Sequence, residues 1–152
     1  MEKTMGNTVR DIQGKWLIQA SNFPMWLSGK RLNPSITYQA IPNEPEKLLD
    51  LVEYQKQNGK QKSIVGIDTI VSKGFEWRGK GLLKVLRSHW SVAGMNEKLL
   101  VIRFEASLVT PAGVDVLVRS GEQKNTDLKE ILANSLEELG ITAAEFDSLT
   151  WL

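Results

Sequence analysis

Eight short runs with the residue alternation of a β-strand dominate this chain. In the first, residues 14–20, Trp16, Ile18 and Ala20 fall on one face of a strand. The other runs cover residues 35–41, 47–56, 63–71, 75–85, 90–95, 98–106 and 114–120. Turns of about 3–6 residues separate most of them, and Asn58-Gly59 is a typical hairpin turn. The pattern predicts an all-β protein, an eight-stranded antiparallel up-and-down β-barrel, because closure leaves no free sheet edge.

The periodicity changes after the last of these runs. Apolar side chains then recur at helical spacing, at Leu128, Ile131, Leu132, Leu136 and Leu139. They predict a C-terminal helix over residues 125–139, ended by Gly140. Residues 149–152 are expected to form a short terminal strand, and residues 1–13 a loose N-terminal segment. Residues 1–152 are therefore predicted to be a single domain with the barrel strands at 14–120.

Composition argues against several classes of function. The 152 residues include no cysteine, which excludes disulfides and thiol chemistry, and one histidine, which excludes histidine-only metal sites. The net charge of +1 lacks the basic excess expected of a nucleic-acid-binding protein. No apolar run reaches the length of a membrane-spanning helix, and residues 1–13 lack the apolar centre of a signal peptide. We expect a cytoplasmic protein with no cofactor, no metal, no nucleic-acid partner and no stable membrane insertion.

A glycine, a tryptophan and an arginine frame the predicted barrel. Gly14 and Trp16 open its first strand as a G-x-W sequence, and Arg119 stands near the end of its eighth. The predicted helix follows, and then the pair Phe146 and Trp151. This ordered combination resembles the lipocalin family of the calycin superfamily, and the C-terminal spacing is most similar to the bacterial lipocalins. The resemblance implies a barrel that carries a small ligand, with its floor closed by Trp16 and Arg119 packed across the indole.

The loop after the first strand is rich in large apolar side chains. Phe23, Met25 and Trp26 lie within four positions, and basic residues such as Lys30 and Arg31 follow. An apolar lid with a basic rim suits an amphipathic anion such as a fatty acid, although a solvated lysine-rich rim has the same composition. Alternation along the strands supplies the wall of the expected cavity. The predicted ligand-binding residues are Ile18, Ala20, Phe23, Met25, Trp26, Tyr38, Arg103, Phe104, Asp115 and Leu117.

The environment of Asp115 has two interpretations at this stage. Asp115 shares a strand face with Leu117 and Arg119, which directs it into the barrel near the mouth. A buried carboxylate needs partners, and Arg103 or His89 could serve. The other interpretation places Asp115 in water beside the preceding turn.

Two further functions stay open from the residues alone. An enzyme could use the same cavity with His89 and Asp115, although no motif supports a catalytic triad. An interaction protein could use residues 23–27 as an exposed apolar loop that binds another chain, and a homo-oligomer is one form of such binding.

Overall fold

Antiparallel strands form one sheet that closes on itself. The structure, a computed structural model, describes residues 5–81, 86–107, 110–121 and 127–152. Among these residues, the barrel strands are β1 (Gly14–Ser21), β2 (Arg31–Ile41), β3 (Glu44–Lys56), β4 (Gln61–Val71), β5 (Gly74–Gly79), β6 (Arg87–Met95), β7 (Leu99–Phe104) and β8 (Gly113–Arg119). The helices are α1 (Met5–Asp11), α2 (Pro24–Leu27), α3 (Leu128–Ala133) and α4 (Ala143–Ser148), and β9 (Thr150–Trp151) adds a short ninth strand.

The barrel closes because β1 pairs with both β2 and β8. Trp16 lies opposite Ile36 on one side and opposite Arg119 on the other. Each remaining strand pairs with its neighbours in the chain, so the eight-stranded up-and-down barrel is confirmed. The predicted fifth run extends to residue 85, whereas β5 ends at Gly79, and residues 82–85 lie outside the described part of the chain.

A β-bulge divides β1 into two halves of opposite orientation. The register against β8 shifts between Ile18 and Ala20. Trp16 and Ile18 point into the barrel, Ala20 packs outside it, and Ser21 turns inward again to bond an interior carboxyl. The prediction that Ala20 lines the cavity is therefore wrong, because one additional residue inverts the alternation of the strand.

Hydrophobic clusters cover both faces of the barrel wall at β7 and β8. Leu100 and Ile102 belong to the inner cluster, which contains most of the aromatic side chains. Leu99 and Val101 belong to an outer cluster, where Leu132 of α3 and other apolar side chains of the C-terminal segment pack against the wall. A helix on the outside therefore explains why these strands are apolar at nearly every position.

The two terminal segments differ from the sequence-based predictions. Residues 5–11 form a helix, and Val9 and Ile12 are buried, so this part of the predicted loose segment 1–13 is ordered against the barrel. The described C-terminal helix is shorter than the predicted 125–139. It ends at Ala133, where Asn134 and Ser135 favour turns over helix, and residues 122–126 lie outside the described range. The short terminal strand is confirmed as β9, and among the described residues no helix is long and apolar enough to span a membrane.

Candidate functional site

Trp16 and Arg119 close the narrow end of the barrel. The Cζ atom of Arg119 lies 4.1 Å from the centroid of the Trp16 ring. The same guanidinium donates hydrogen bonds to the carbonyl oxygens of Gln13 and Asp11, both at 2.7 Å. The Trp16 indole N–H donates to the carbonyl oxygen of Ile12 at 2.8 Å. This geometry confirms the expected packing of arginine on tryptophan at the floor.

Gly14 is required by the position of the arginine. Its φ of +114° is strained for residues with a side chain, and a Cβ atom there would approach Nη1 of Arg119 to 2.8 Å. The G-x-W sequence thus combines a large ring that seals the floor with a glycine that leaves room for the guanidinium above it.

A cavity of about 310 Å³ lies inside the barrel between this floor and the open end. Its walls are mainly aromatic and aliphatic, with Trp77, Trp90 and Phe104 among the lining side chains. At the mouth, the cavity is bordered by Arg87, Ser88, Ser107 and Thr110, from the described parts of the loops expected at the open end. The barrel is therefore hollow under its mouth and filled by side chains towards its floor.

The loop after β1 folds over this mouth. Its short helix α2 begins at Pro24, whose fixed φ suits the first turn of a helix. The Phe23 ring packs against Phe104 with centroids 5.4 Å apart, and the Trp26 ring meets Tyr54 edge to face at 6.1 Å. Trp26 is only 5% exposed, and within residues 23–27 only Pro24 and Leu27 are exposed. Phe23, Met25 and Trp26 thus line the cavity rather than forming an exposed loop.

The structure brings most of the predicted ligand-binding residues together. Six of them line the cavity: Phe23, Met25, Trp26, Tyr38, Phe104 and Asp115. Ile18 and Leu117 belong to the inner cluster but do not line this cavity. Ala20 and Arg103 lie outside the barrel.

Arg103 connects the barrel wall to the C-terminal segment. Its guanidinium donates to both carboxylate oxygens of Glu145, at 2.7 and 3.0 Å, and to the carbonyl oxygen of Gly140 at 2.8 Å. The carboxylate raises the pKa of Arg103, and the guanidinium lowers that of Glu145. The prediction of Arg103 as a ligand-binding residue is wrong, because its neighbours Ile102 and Phe104 take the inward positions of β7.

Asp115 is buried at the lid end of the cavity with no cationic partner among the described residues. It accepts hydrogen bonds from the Ser21 hydroxyl, at 2.6 Å, and from the Trp26 indole. Burial raises the pKa of the Asp115 carboxyl to about 7. The interpretation of a water-exposed side chain is wrong, and so is the expected pairing with Arg103 or His89.

His89 is not part of the cavity. It lies on β6 beside the inward-facing Trp90, so its own side chain points outward, where Nε2 is 3.5 Å from the Glu76 carboxylate. The expected combination of His89 with Asp115 is therefore not formed, since Asp115 is inside the barrel and His89 is on its outer surface.

Two buried carboxyl groups at the site were not predicted. Asp50 lines the cavity and Asp68 lies beside it, and the two side chains share a hydrogen bond. The Trp90 indole N–H donates to Oδ1 of Asp68 at 2.9 Å. The sequence does place both residues in strand-like runs, Asp50 in residues 47–56 and Asp68 in residues 63–71. It does not show that the faces carrying them point into the barrel.

The charge inside the barrel has one sign. Asp50, Asp68 and Asp115 are buried, whereas no lysine, arginine or histidine among the described residues is buried. Arg87 borders the mouth but is exposed. Across the described ranges, no group of three or more histidine or acidic side chains could hold a metal ion.

Known structures share this architecture at low sequence identity. Lobster apocrustacyanin A1 has a TM-score of 0.64 at 7% identity, over 98% of this chain and 85% of that one. The siderocalin Ex-FABP has a TM-score of 0.63 at 16% identity over 93% of each chain. The bovine lipocalin allergen Bos d 2 has a TM-score of 0.57 at 12% identity, over 94% of this chain and 93% of that one. No protein-family model and no curated protein sequence matches the chain. Together with the closed eight-stranded barrel, these likenesses show that the chain has the lipocalin fold.

Proposed function

We propose that this protein binds a small apolar or amphipathic molecule non-covalently inside its barrel. The observation that carries this proposal is the cavity of about 310 Å³ beneath the α2 lid, with its mainly aromatic and aliphatic walls. Ligand pockets usually measure about 300–1,000 Å³, so the volume suits a compact ligand. A ligand that fills this apolar cavity gains packing contacts with its walls and releases water from apolar surface, and both effects favour binding.

One of the structures with the same fold supports a ligand-carrying role. The siderocalin Ex-FABP is described as functioning through dual ligand specificities. At 16% identity this likeness supports the class of function and does not extend to the chemical identity of the ligand.

The sequence-based prediction of an anion such as a fatty acid depends on the basic rim alone. Arg87 borders the mouth, and Arg31 lies over the Tyr54 ring, with its Cζ 5.4 Å from the centroid. A fatty-acid-like ligand would therefore place its carboxylate at the mouth and its chain inside, because the interior already holds buried carboxyl groups.

Binding of a neutral apolar dye, N-phenyl-1-naphthylamine, tests the proposed function. We expect saturable one-to-one binding with enhanced dye emission. The substitution Trp26→Ala should weaken the dye about tenfold or more, because a buried side chain of this size contributes roughly 1.5–3 kcal/mol. The matched control is Trp151→Ala, which removes an indole from the outer cluster and leaves the cavity intact. Circular dichroism establishes that both variants are folded.

Two results would contradict the proposal. In one, the dye does not saturate at one equivalent. In the other, Trp26→Ala leaves dye affinity unchanged but alters sedimentation, which would favour a surface that binds another chain. The cytoplasmic location and the self-association expected from the sequence stay predictions.

A further inference from the structure

A buried carboxyl group, that of Asp50, lines the cavity. Asp50 is only 5% exposed, and its Oδ1 atom has no hydrogen-bond partner among the described residues apart from Asp68. Oδ2 of Asp68 likewise has none apart from Asp50. Buried polar atoms are normally paired because an unpaired one loses its hydration without compensation. The proton that Asp50 and Asp68 share occupies only part of their acceptor capacity, so the Asp50 carboxyl can still accept a hydrogen bond from a ligand.

The strand register separates Asp50 from the other carboxyl that lines the cavity. Asp50 pairs with Tyr38, which in turn pairs with Gly14 at the start of β1. Asp115 pairs with Ser21 at the end of β1. Asp50 thus lies towards the floor and Asp115 towards the lid. Asp115 already accepts two hydrogen bonds, so Asp50 is the acceptor that is open to a ligand.

Asp50 and Asp68 form a pair that retains negative charge. Their hydrogen bond requires one shared proton, and burial raises the pKa of both carboxyl groups. The hydrogen bond to Asp50 raises the pKa of Asp68 further, while the same bond lowers that of Asp50. One proton shared by the pair leaves one negative charge between the two carboxyl groups, and Asp50 is the member that lines the cavity.

A stack of aromatic rings begins at Tyr38, the cross-strand neighbour of Asp50. Tyr38 and Trp90 both line the cavity and stack on each other with centroids 5.3 Å apart. Phe75 stacks on the other side of Trp90 at 4.5 Å. Because stacking covers these ring faces, the rings supply an apolar surface for the body of a ligand, and Asp50 is the group that can interact with its charge.

We propose that the ligand is a protonated amine with an apolar body, whose ammonium group binds Asp50 at the inner end of the cavity. The apolar body then fills the space under the α2 lid. This assignment rests on the proposed function and specifies its ligand class. An ammonium donates a hydrogen bond to the Asp50 carboxyl, and its charge balances the one negative charge of the Asp50–Asp68 pair.

Displacement of the bound dye by three ligands of equal chain length tests the assignment. The ligands are n-octylamine, n-octanol and octanoate, which present a cation, a neutral group and an anion. We expect n-octylamine to bind about tenfold more tightly than n-octanol, as for one charge-assisted hydrogen bond in a buried site. Octanoate should bind most weakly.

The variant Asp50→Asn removes the charge at the acceptor. It should abolish the preference for n-octylamine over n-octanol, and the dye affinity measured for the same variant is the reference for both displacements. Glu105→Gln is the matched control, because Glu105 is an exposed carboxylate next to β7 and does not line the cavity. Its preference should equal that of the wild type. If Asp50→Asn does not fold, Asp68→Asn replaces it, since loss of the partner also disrupts the charged pair.

Calorimetry in two buffers of different ionisation enthalpy adds an independent readout. An ammonium favours the ionised forms of the groups around Asp50, which are Tyr38 on β2, Asp68 on β4 and, nearer the lid, Asp115 on β8. Burial raises the pKa of Tyr38 well above its usual value, so the tyrosine stays protonated near neutral pH. Binding of n-octylamine should therefore release protons from the two aspartates, whose pKa burial also raises, and binding of n-octanol should not.

The outcomes separate this inference from the proposed function. If the dye and all three ligands fail to bind, the proposed function fails and the inference fails with it. If the dye binds but n-octylamine and n-octanol bind equally, or octanoate binds best, the cavity is a ligand site and the amine assignment is wrong. An amine preference that survives Asp50→Asn would also overturn it.

Discussion

The substitution Asp115→Asn isolates the effect of one buried carboxyl on stability. Burial raises the pKa of Asp115 from 3.8 to about 7, so the folded state binds the proton more tightly than the unfolded chain. The stability contributed by this proton is fully present below the unfolded pKa of 3.8 and is lost as the pH rises through about 7. Between about pH 5 and about pH 8 the loss amounts to roughly 2.5 kcal/mol.

Asparagine keeps an oxygen that can accept the hydrogen bonds from Ser21 and Trp26 but carries no titratable proton. When the pH rises from about 5 to about 8, the unfolding free energy of Asp115→Asn should therefore increase by roughly 2.5 kcal/mol relative to that of the wild type. Asp50 and Asp68 titrate in both proteins, so their effect largely cancels in the difference.

Urea unfolding followed by circular dichroism at the two pH values measures this shift. The matched control is Asp147→Asn, because Asp147 is exposed on α4 and its replacement should leave the difference from the wild type constant. If the difference between Asp115→Asn and the wild type is also the same at both pH values, burial does not raise the pKa of Asp115, and the prediction is wrong.

Three further substitutions test the floor and the outer wall of the barrel. Trp16→Ala should reduce the unfolding free energy by about 3–5 kcal/mol because it leaves a cavity. Arg119→Ala should reduce it less, and the double variant should lose less than the sum of the two single variants. Additive losses in denaturant melts would show that the two side chains do not interact. Gly94→Ala should cost about 1–3 kcal/mol, because a Cβ atom there would lie 2.5 Å from the backbone of Leu139, and an unchanged melting temperature would contradict this close contact.

The barrel could be predicted from the sequence because its signals are local. Alternation within each run and hairpin turns such as Asn58-Gly59 report strand and turn geometry directly. The contact between Trp16 and Arg119 joins distant parts of the chain, and it was expected only from the resemblance to a family.

The interior of the cavity could not be predicted because its signals depend on orientation. In β3, Leu48 and Asp50 lie on one face, and Leu49 and Leu51 lie on the other, so both faces look apolar enough to be internal. The sequence of this run does not show which of the two faces points into the barrel, and therefore does not show that Asp50 is internal. Ala20 was misplaced for a related reason, because a bulge changes the register without a signal that alternation can detect.

The sealed floor has a consequence for the kinetics of ligand exchange. With Trp16 and Arg119 stacked beneath α1, a ligand under α2 enters and leaves by the same route at the other end of the barrel. The free energy barrier at the lid is then common to association and dissociation, and a change in its height alters both rates by the same factor. The equilibrium affinity therefore depends on the contacts between the bound ligand and the cavity wall. The residence time depends in addition on the barrier formed by the four residues from Pro24 to Leu27. Since Met25 and Trp26 also line the cavity, we expect residence time to change without affinity only for substitutions at Pro24 and Leu27, which do not line it.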